Sequence, residues 1–142
     1  MPSDFKFPRF QVLHVDDDPL NLRVVADVLS AFGHESFGVS SGPAGLDALG
    51  RQVFDLVLMD IHMPGMSGVD VVDRLRRSVG PERRTPVIAL TADSHSRSRQ
   101  DYIELGFQDF VTKPVLVSQL IGCVNRIVAQ AARANERRLR SA

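Results

Sequence analysis

The sequence predicts an α/β fold, a parallel five-stranded sheet covered on both faces by helices in a three-layer sandwich. Three observations predict it. Five short apolar runs alternate with five stretches of helical periodicity along 142 residues, the pattern of consecutive βαβ crossovers. One of these runs, Phe54 to Met59, is apolar almost throughout, as in a strand buried on both faces. Several of the runs end in charged or hydroxyl residues, at the edge where open α/β sheets place their chemistry.

Taken in order, residues 1–9 contain Pro2 and Pro8 and read as a flexible lead-in. Gln11 to Val15 is a first strand that runs into Asp16-Asp17-Asp18-Pro19. Pro19 suits the first position of a helix and Asp18 its cap. Leu20, Val24, Val28 and Phe32 recur at helical spacing until Gly33 stops the helix. Glu35 to Val39 is a weaker strand, Ser40 to Pro43 a turn, and a short helix carries Leu46 and Leu49.

After the Phe54–Met59 strand, Asp60 stands before Pro64, Gly65 and Gly68, which force a loop. Ser67 and Asp70 have the spacing of a capping box and open a third helix with Val71, Val72 and Leu75 inside and Arg74, Arg76 and Arg77 at its end. Pro86 to Leu90 is a fourth strand ending at Thr91. Ser94 to Leu105 is a helix too polar to bury much. Gln108 to Thr112 is a fifth strand closed by Lys113-Pro114, and a last helix carries Leu116, Leu120, Val124, Ile127 and Ala131 in a stripe. The body of the domain spans 10–130, and 131–142 form a basic helix extension or tail.

Composition narrows the class. Hydrophobic residues are 44% and charged residues 24% of the chain, the balance of a water-soluble globular domain. The formal net charge is zero, which gives no reason to expect direct nucleic-acid binding. The charge is unevenly spread: from Arg126 onward five arginines face one glutamate, so that segment carries +4 and residues 1–125 carry −4. The single cysteine, Cys123, has apolar neighbours and reads as a core residue of a reducing compartment. The first ten residues lack the apolar core of a secretory signal and no run approaches a membrane span. These features lead us to expect a cytoplasmic protein, or the cytoplasmic part of a larger membrane-bound one.

The strand ends carry the chemistry. Strand one ends in Asp16 and Asp17, strand three in Asp60, strand four in Thr91 and strand five in Lys113. In a parallel sheet they face one rim. Carboxylates about 4 Å apart repel by about 4 kcal/mol per pair at an effective dielectric of about 20, so a cation must hold them. Lys113 supplies one charge. An oxygen-only ligand set with room for water suits Mg²⁺, and Mn²⁺ meets the same requirement. A lone carboxylate between such a metal and a lysine is a plausible phosphoryl acceptor, with Thr91 placed to bind the transferred group.

Asp16-Asp17, Met59-Asp60-Ile61-His62-Met63-Pro64, Met66-Ser67-Gly68, Leu90-Thr91-Ala92 and Lys113-Pro114, in that order and spacing, resemble the response-regulator receiver domain of two-component and phosphorelay signalling. The resemblance covers about Phe10 to Ala129 and implies the flavodoxin-like sheet with strand order 2-1-3-4-5. It implies that Asp60 accepts phosphate from a histidine kinase or a histidine phosphotransfer protein. By the same resemblance, Asp17 binds Mg²⁺ directly, Asp16 largely through water, and His62 through its backbone carbonyl. Thr91 and Lys113 contact the phosphoryl group, and Lys113-Pro114 is a cis peptide. Phe110 matches the aromatic that turns inward as Thr91 moves, with plain core packing as the alternative. A downstream protein partner then reads the face made by helix 4, strand 5 and helix 5.

Other signals are weaker. His34-Glu35 looks like the phosphoacceptor dipeptide of histidine kinases but lacks the surrounding helix, and His14 and His95 have no metal-ligand spacing. A Mg²⁺-dependent phosphohydrolase of the haloacid-dehalogenase kind would need a second aspartate two residues after the nucleophile, where this chain has His62. A degenerate receiver that only binds proteins is the other alternative, against which all five active-site positions are filled. Asp16-Asp17-Asp18-Pro19-Leu20-Asn21 looks more like hybrid-kinase and phosphorelay receivers than like transcription-factor ones, and the chain as a whole resembles hybrid-kinase or stand-alone receivers. Too few residues follow the last apolar turn to form a DNA-binding domain, so none is expected.

Overall fold

The central strands are short and apolar, so they must bury both faces and pair with neighbours on both edges. In the computed structural model, which describes residues 9–93 and 95–141, they do so in one parallel sheet. The strands are β1 (Gln11–Val15), β2 (Glu35–Val39), β3 (Leu56–Asp60), β4 (Val87–Thr91) and β5 (Asp109–Thr112). The helices are α1 (Pro19–Ala31), α2 (Gly42–Arg51), α3 (Gly68–Arg76), α4 (Arg99–Leu105) and α5 (Val117–Ser141), with a 3₁₀ turn at Pro81–Arg84. The order across the sheet is β2-β1-β3-β4-β5, the one implied by the resemblance. Residues 1–8 of the expected lead-in over 1–9 lie outside the described residues, as does Ser94.

Two cores result from the two faces of the sheet, because side chains alternate along a strand. Leu13, Val15, Val57, Met59, Val87 and Ala89 point to the side covered by α2, α3 and α4, where Leu49, Val71, Val72, Leu75 and Tyr102 meet them. Val12, Leu56, Leu58, Ile88, Leu90 and Val111 point to the side covered by α1 and α5, against Val25, Leu29, Leu120, Val124 and Ile127. Cys123 is buried there, as expected of a core thiol, and burial foremost, with the Asp109 carboxylate beside it, pushes its pKa up to about 12.

Several expectations need correction. The stripe facing the sheet on α1 is Val25 and Leu29, whereas Leu20 and Val24 are 66% and 48% exposed and Phe32 lies beyond the helix. Both sets have helical spacing, and only the approach of the sheet decides between them. The third strand begins at Leu56 and ends in Asp60 itself, with Phe54 buried ahead of it. Gly42 and Pro43 are the first turn of α2 under the Ser41 cap, not a free turn. α4 starts only at Arg99, where Ser98 and Asp101 form a capping box; residues 95–98 lie in the loop. Leu116 precedes α5 and is exposed. α5 runs on as helix to Ser141, about 37 Å at 1.5 Å per residue.

Polar ties lock the sheet edges. Arg76, half-buried at the end of α3, donates to the carbonyls of Arg83, Thr85 and Gly106 and to the Gln108 side chain at 2.6–3.3 Å. One guanidinium thus satisfies three loop carbonyls that no strand pairs. At the other edge, buried His34 stacks on Phe10 and accepts the Phe10 backbone N–H on Nδ1 at 3.3 Å.

Arg76→Met should lower the urea-unfolding free energy by about 3 kcal/mol, since it leaves buried acceptors without donors. His34 makes a separate pH prediction. Burial lowers its pKa below the ordinary 6.5, so the unfolded chain binds the proton more readily. Its contribution is complete above about pH 6.5 and is lost as pH falls toward the folded-state value. Between pH 7.5 and 5.5 the urea midpoint of the wild type should therefore drop more than that of His34→Leu.

Candidate functional site

Strand register brings the predicted residues together. Val15 pairs with Met59, so the next residues, Asp16 and Asp60, come level at the carboxyl edge. Asp60 pairs with Leu90 and Thr91 with Thr112, which sets Lys113 one step beyond on the outer strand. The backbone N–H of Lys113 donates to the Thr91 carbonyl at 2.7 Å, and the Lys113-Pro114 peptide is cis. Asp18 caps α1 by accepting the Leu20 N–H at 2.9 Å, which turns the chain away and leaves Asp17 exposed at the rim.

The charges meet around one lysine. Lys113 Nζ lies 3.3 Å from Asp16 Oδ2 and 3.2 Å from Asp60 Oδ1. One carboxylate oxygen from each of Asp16, Asp17 and Asp60 lies within 4.8 Å of the others. Asp16 and Asp60 are buried. Burial would raise the Asp16 pKa, but the nearby His14 ring, the Asp18 backbone N–H and Lys113 outweigh it and hold the carboxyl well below the usual range. Asp60 goes the other way: burial, helped by the Asp16 charge, raises its pKa against the pull of Lys113. Burial would likewise lower the pKa of Lys113, and the two carboxylates overcome it and raise it.

Three carboxylates and one ammonium leave two negative charges in a partly buried cleft. A divalent cation with oxygen preference fits that deficit, and the donor set contains no sulfur. The imidazole of His62 points away from this role, being exposed, while its backbone N–H donates to Asp60 Oδ1 at 3.3 Å. The loop after Asp60 is tightly drawn in: a β-carbon on Gly68 would come within 2.3 Å of the Asp60 carbonyl oxygen. Glycine is required there by space and not by backbone angle.

Thr91 and Phe110 occupy the neighbouring positions. The Thr91 hydroxyl is buried and exchanges hydrogen bonds with the Asp93 backbone, accepting its N–H at 3.0 Å and donating to its carbonyl at 3.1 Å. Asp93 in turn accepts the N–H groups of His95 and Ser96, which hold its pKa at about 2. Phe110 is half-buried and stacks on Tyr102 of α4 with ring centroids 4.9 Å apart. Sequence reasoning missed two contributors, Asn21 and His14. Asn21 donates to Asp16 Oδ2 at 3.4 Å, and His14 lies two residues before Asp16, on the same side of β1. Strand periodicity alone could have pointed to His14.

Comparison with known proteins agrees with this geometry. The family model for the response regulator receiver domain matches residues 12–125. The sensor protein GacS of Pseudomonas syringae is 35% identical over 134 residues, 93% of this chain and 15% of that protein. The aerobic respiration control sensor protein ArcB of Escherichia coli is 32% identical over 124 residues, 87% of this chain and 16% of that protein. The chain therefore spans only about one-sixth of the curated relatives it matches. Among solved structures, the receiver domain of sensor histidine kinase PA1611 from Pseudomonas aeruginosa superposes with a TM-score of 0.77 at 28% identity, covering 86% of this chain and 99% of that one. It holds a magnesium ion in its active-site cleft. The chemotaxis protein CheY4 of Vibrio cholerae gives a TM-score of 0.77 at 25% identity, covering 84% of this chain and 99% of that one.

The surplus negative charge yields a stability prediction. In EDTA, Asp60→Asn should melt at a higher temperature than the wild type, because it removes the carboxylate that burial and Asp16 disfavour. Mg²⁺ should raise the wild-type Tm, by about 2.7 kcal/mol of stability at a hundredfold excess over Kd, and should raise that of Asp60→Asn far less.

Proposed function

The chain belongs to the response regulator receiver domain family, the signalling module of two-component systems, and from that premise we propose that Asp60 is its phosphoacceptor. The observation that carries this is Asp60 itself: a buried carboxylate at the sheet edge, 3.2 Å from the Lys113 ammonium and within reach of a second pair of acids. An Asp60 oxygen attacks the phosphorus of a phosphohistidine on a histidine kinase or histidine phosphotransfer protein. The P–N bond breaks, and the imidazole leaves and takes up a proton. Asp16, Asp17, Asp60 and the His62 carbonyl would hold Mg²⁺, which when bound offsets charge on the phosphoryl oxygens; Mn²⁺ suits the same ligands.

Lys113 stays paired with the phosphoryl group as Asp60 loses its free carboxylate. The Thr91 hydroxyl leaves its bonds to Asp93 and takes a phosphoryl oxygen, which opens space for Phe110 to turn inward from its stack on Tyr102. Those rearrangements bias the face of α4, β5 and α5 between two packings that a downstream protein reads. The exposed Leu20 and Val24 of α1, next to the acidic turn, offer an apolar seat for the donor. The domain works on no substrate beyond its own phosphorylation and dephosphorylation, and works in the cytoplasm, either alone or as part of a longer sensor kinase. No helix among the described residues is long and apolar enough to cross a membrane.

The test is intact mass after incubation with acetyl phosphate. The wild type should gain one phosphoryl group with Mg²⁺ and none in EDTA, and Asp60→Asn should gain none in either. No gain by the wild type under either condition would leave a protein-interaction module whose Asp60 is structural.

A further inference from the structure

β1 carries a histidine on the face that bears Val12, where its core neighbours on β3 are Leu56 and Leu58. His14 is 1% exposed, and neither ring nitrogen meets a partner at hydrogen-bond distance. Its partners across the sheet are Gly38 on β2 and Leu58 on β3, neither of which offers a polar side chain. A buried imidazole without partners destabilises the fold, which an aliphatic residue in the same strand would avoid. One polar group comes near: Nε2 lies 3.6 Å from Asp16 Oδ2. That is a long approach for a full hydrogen bond, yet it points one ring nitrogen at a carboxylate and leaves the other facing none.

Asp16 is held from several sides. Oδ1 accepts the Asp18 backbone N–H at 3.0 Å, and Oδ2 receives Lys113 Nζ at 3.3 Å and the Asn21 amide at 3.4 Å. Of these donors, Lys113 is shared with Asp60 and must also serve an incoming phosphoryl group. Asn21 sits on the first turn of α1. His14 is the polar side chain that approaches Asp16 from the sheet beneath, on the same strand and the same face. A rigid strand sets its position more firmly than a helix turn or a long lysine chain can.

We propose that His14 is a positioning residue for the acidic site: it carries its proton on Nε2 and turns that N–H toward Asp16 Oδ2, fixing the plane of the carboxylate for a divalent cation. The inference rests on the reading of Asp16, Asp17 and Asp60 as the metal ligands. His14 does not touch the ion; it acts through Asp16. Groups that orient a metal ligand from behind typically change metal affinity about 10–100-fold when removed.

Two measurements test this. In metal-free wild-type protein, a long-range ¹H–¹⁵N spectrum should show the His14 proton on Nε2; a His14 ring with Nε2 deprotonated would overturn the proposal. Calorimetric Mg²⁺ titration should then show His14→Val binding at least about tenfold more weakly than wild type, with a urea midpoint in EDTA equal to or above the wild type. His14→Gln, whose amide can still donate to Asp16, should recover part of the affinity. Unchanged Mg²⁺ affinity in His14→Val, or a loss accompanied by an equal loss in His14→Gln, would overturn it. Absence of Mg²⁺ binding by the wild type would overturn the metal-site reading and with it the purpose assigned to His14, while the ring spectrum would still decide whether the contact with Asp16 exists.

Discussion

The structure depends on an imbalance of charge at one edge of the sheet. Asp16, Asp17 and Asp60 converge where a single ammonium, Lys113, can answer only one of them. Everything else in the fold serves to keep them there. The two hydrophobic cores clamp the sheet from both sides, so that β1, β3 and β5 cannot slip in register to relieve the repulsion. A one-residue slip would also turn each apolar side chain to the wrong face. Stability contributed by burial therefore holds a site that is unfavourable by itself.

The two buried aspartates divide the work. Asp16 is surrounded by donors and stays ionised, whereas Asp60 has fewer partners and a raised pKa. Asp16 accepts from three donors, the Asp18 N–H, Lys113 and Asn21, whereas Asp60 meets only Lys113 and the His62 N–H. The asymmetry arises from the backbone: β1 ends in a turn whose Asp18 N–H folds back on Asp16, while β3 ends in a loop that offers Asp60 only the His62 N–H.

The periphery is connected to this edge through β5. Asp109, at the start of that strand, is buried and forms ion pairs with Arg126 of α5 and Arg99 of α4. Phe110 follows it, and Lys113 comes directly after the strand's last residue, Thr112. One short strand and the residue after it thus bear the ammonium of the site, the aromatic beside Thr91 and the ionic tie between the last two helices. A displacement of β5 or of its side chains at one end has few ways to remain local.

By itself the sequence determined the alternation of strands and helices, the parallel sheet, and the placing of Asp16, Asp17, Asp60, Thr91 and Lys113 at strand ends, because each of these is written in local pattern. Apolar runs, a proline after a capping aspartate and a capping box at Ser67 depend on neighbours within a few positions. What the tertiary structure decided depends on which face of an element meets another. Val25 and Leu29, not Leu20 and Val24, face the sheet from α1, since two stripes on one helix satisfy the same periodicity and only packing selects one. The Arg76 tie to the Gly106 carbonyl was illegible for the same reason, as it joins segments thirty residues apart. His14 had no meaning in a search for ligand spacing; it acquired one when β1 placed it beneath Asp16, with Gly38 and Leu58 on either side.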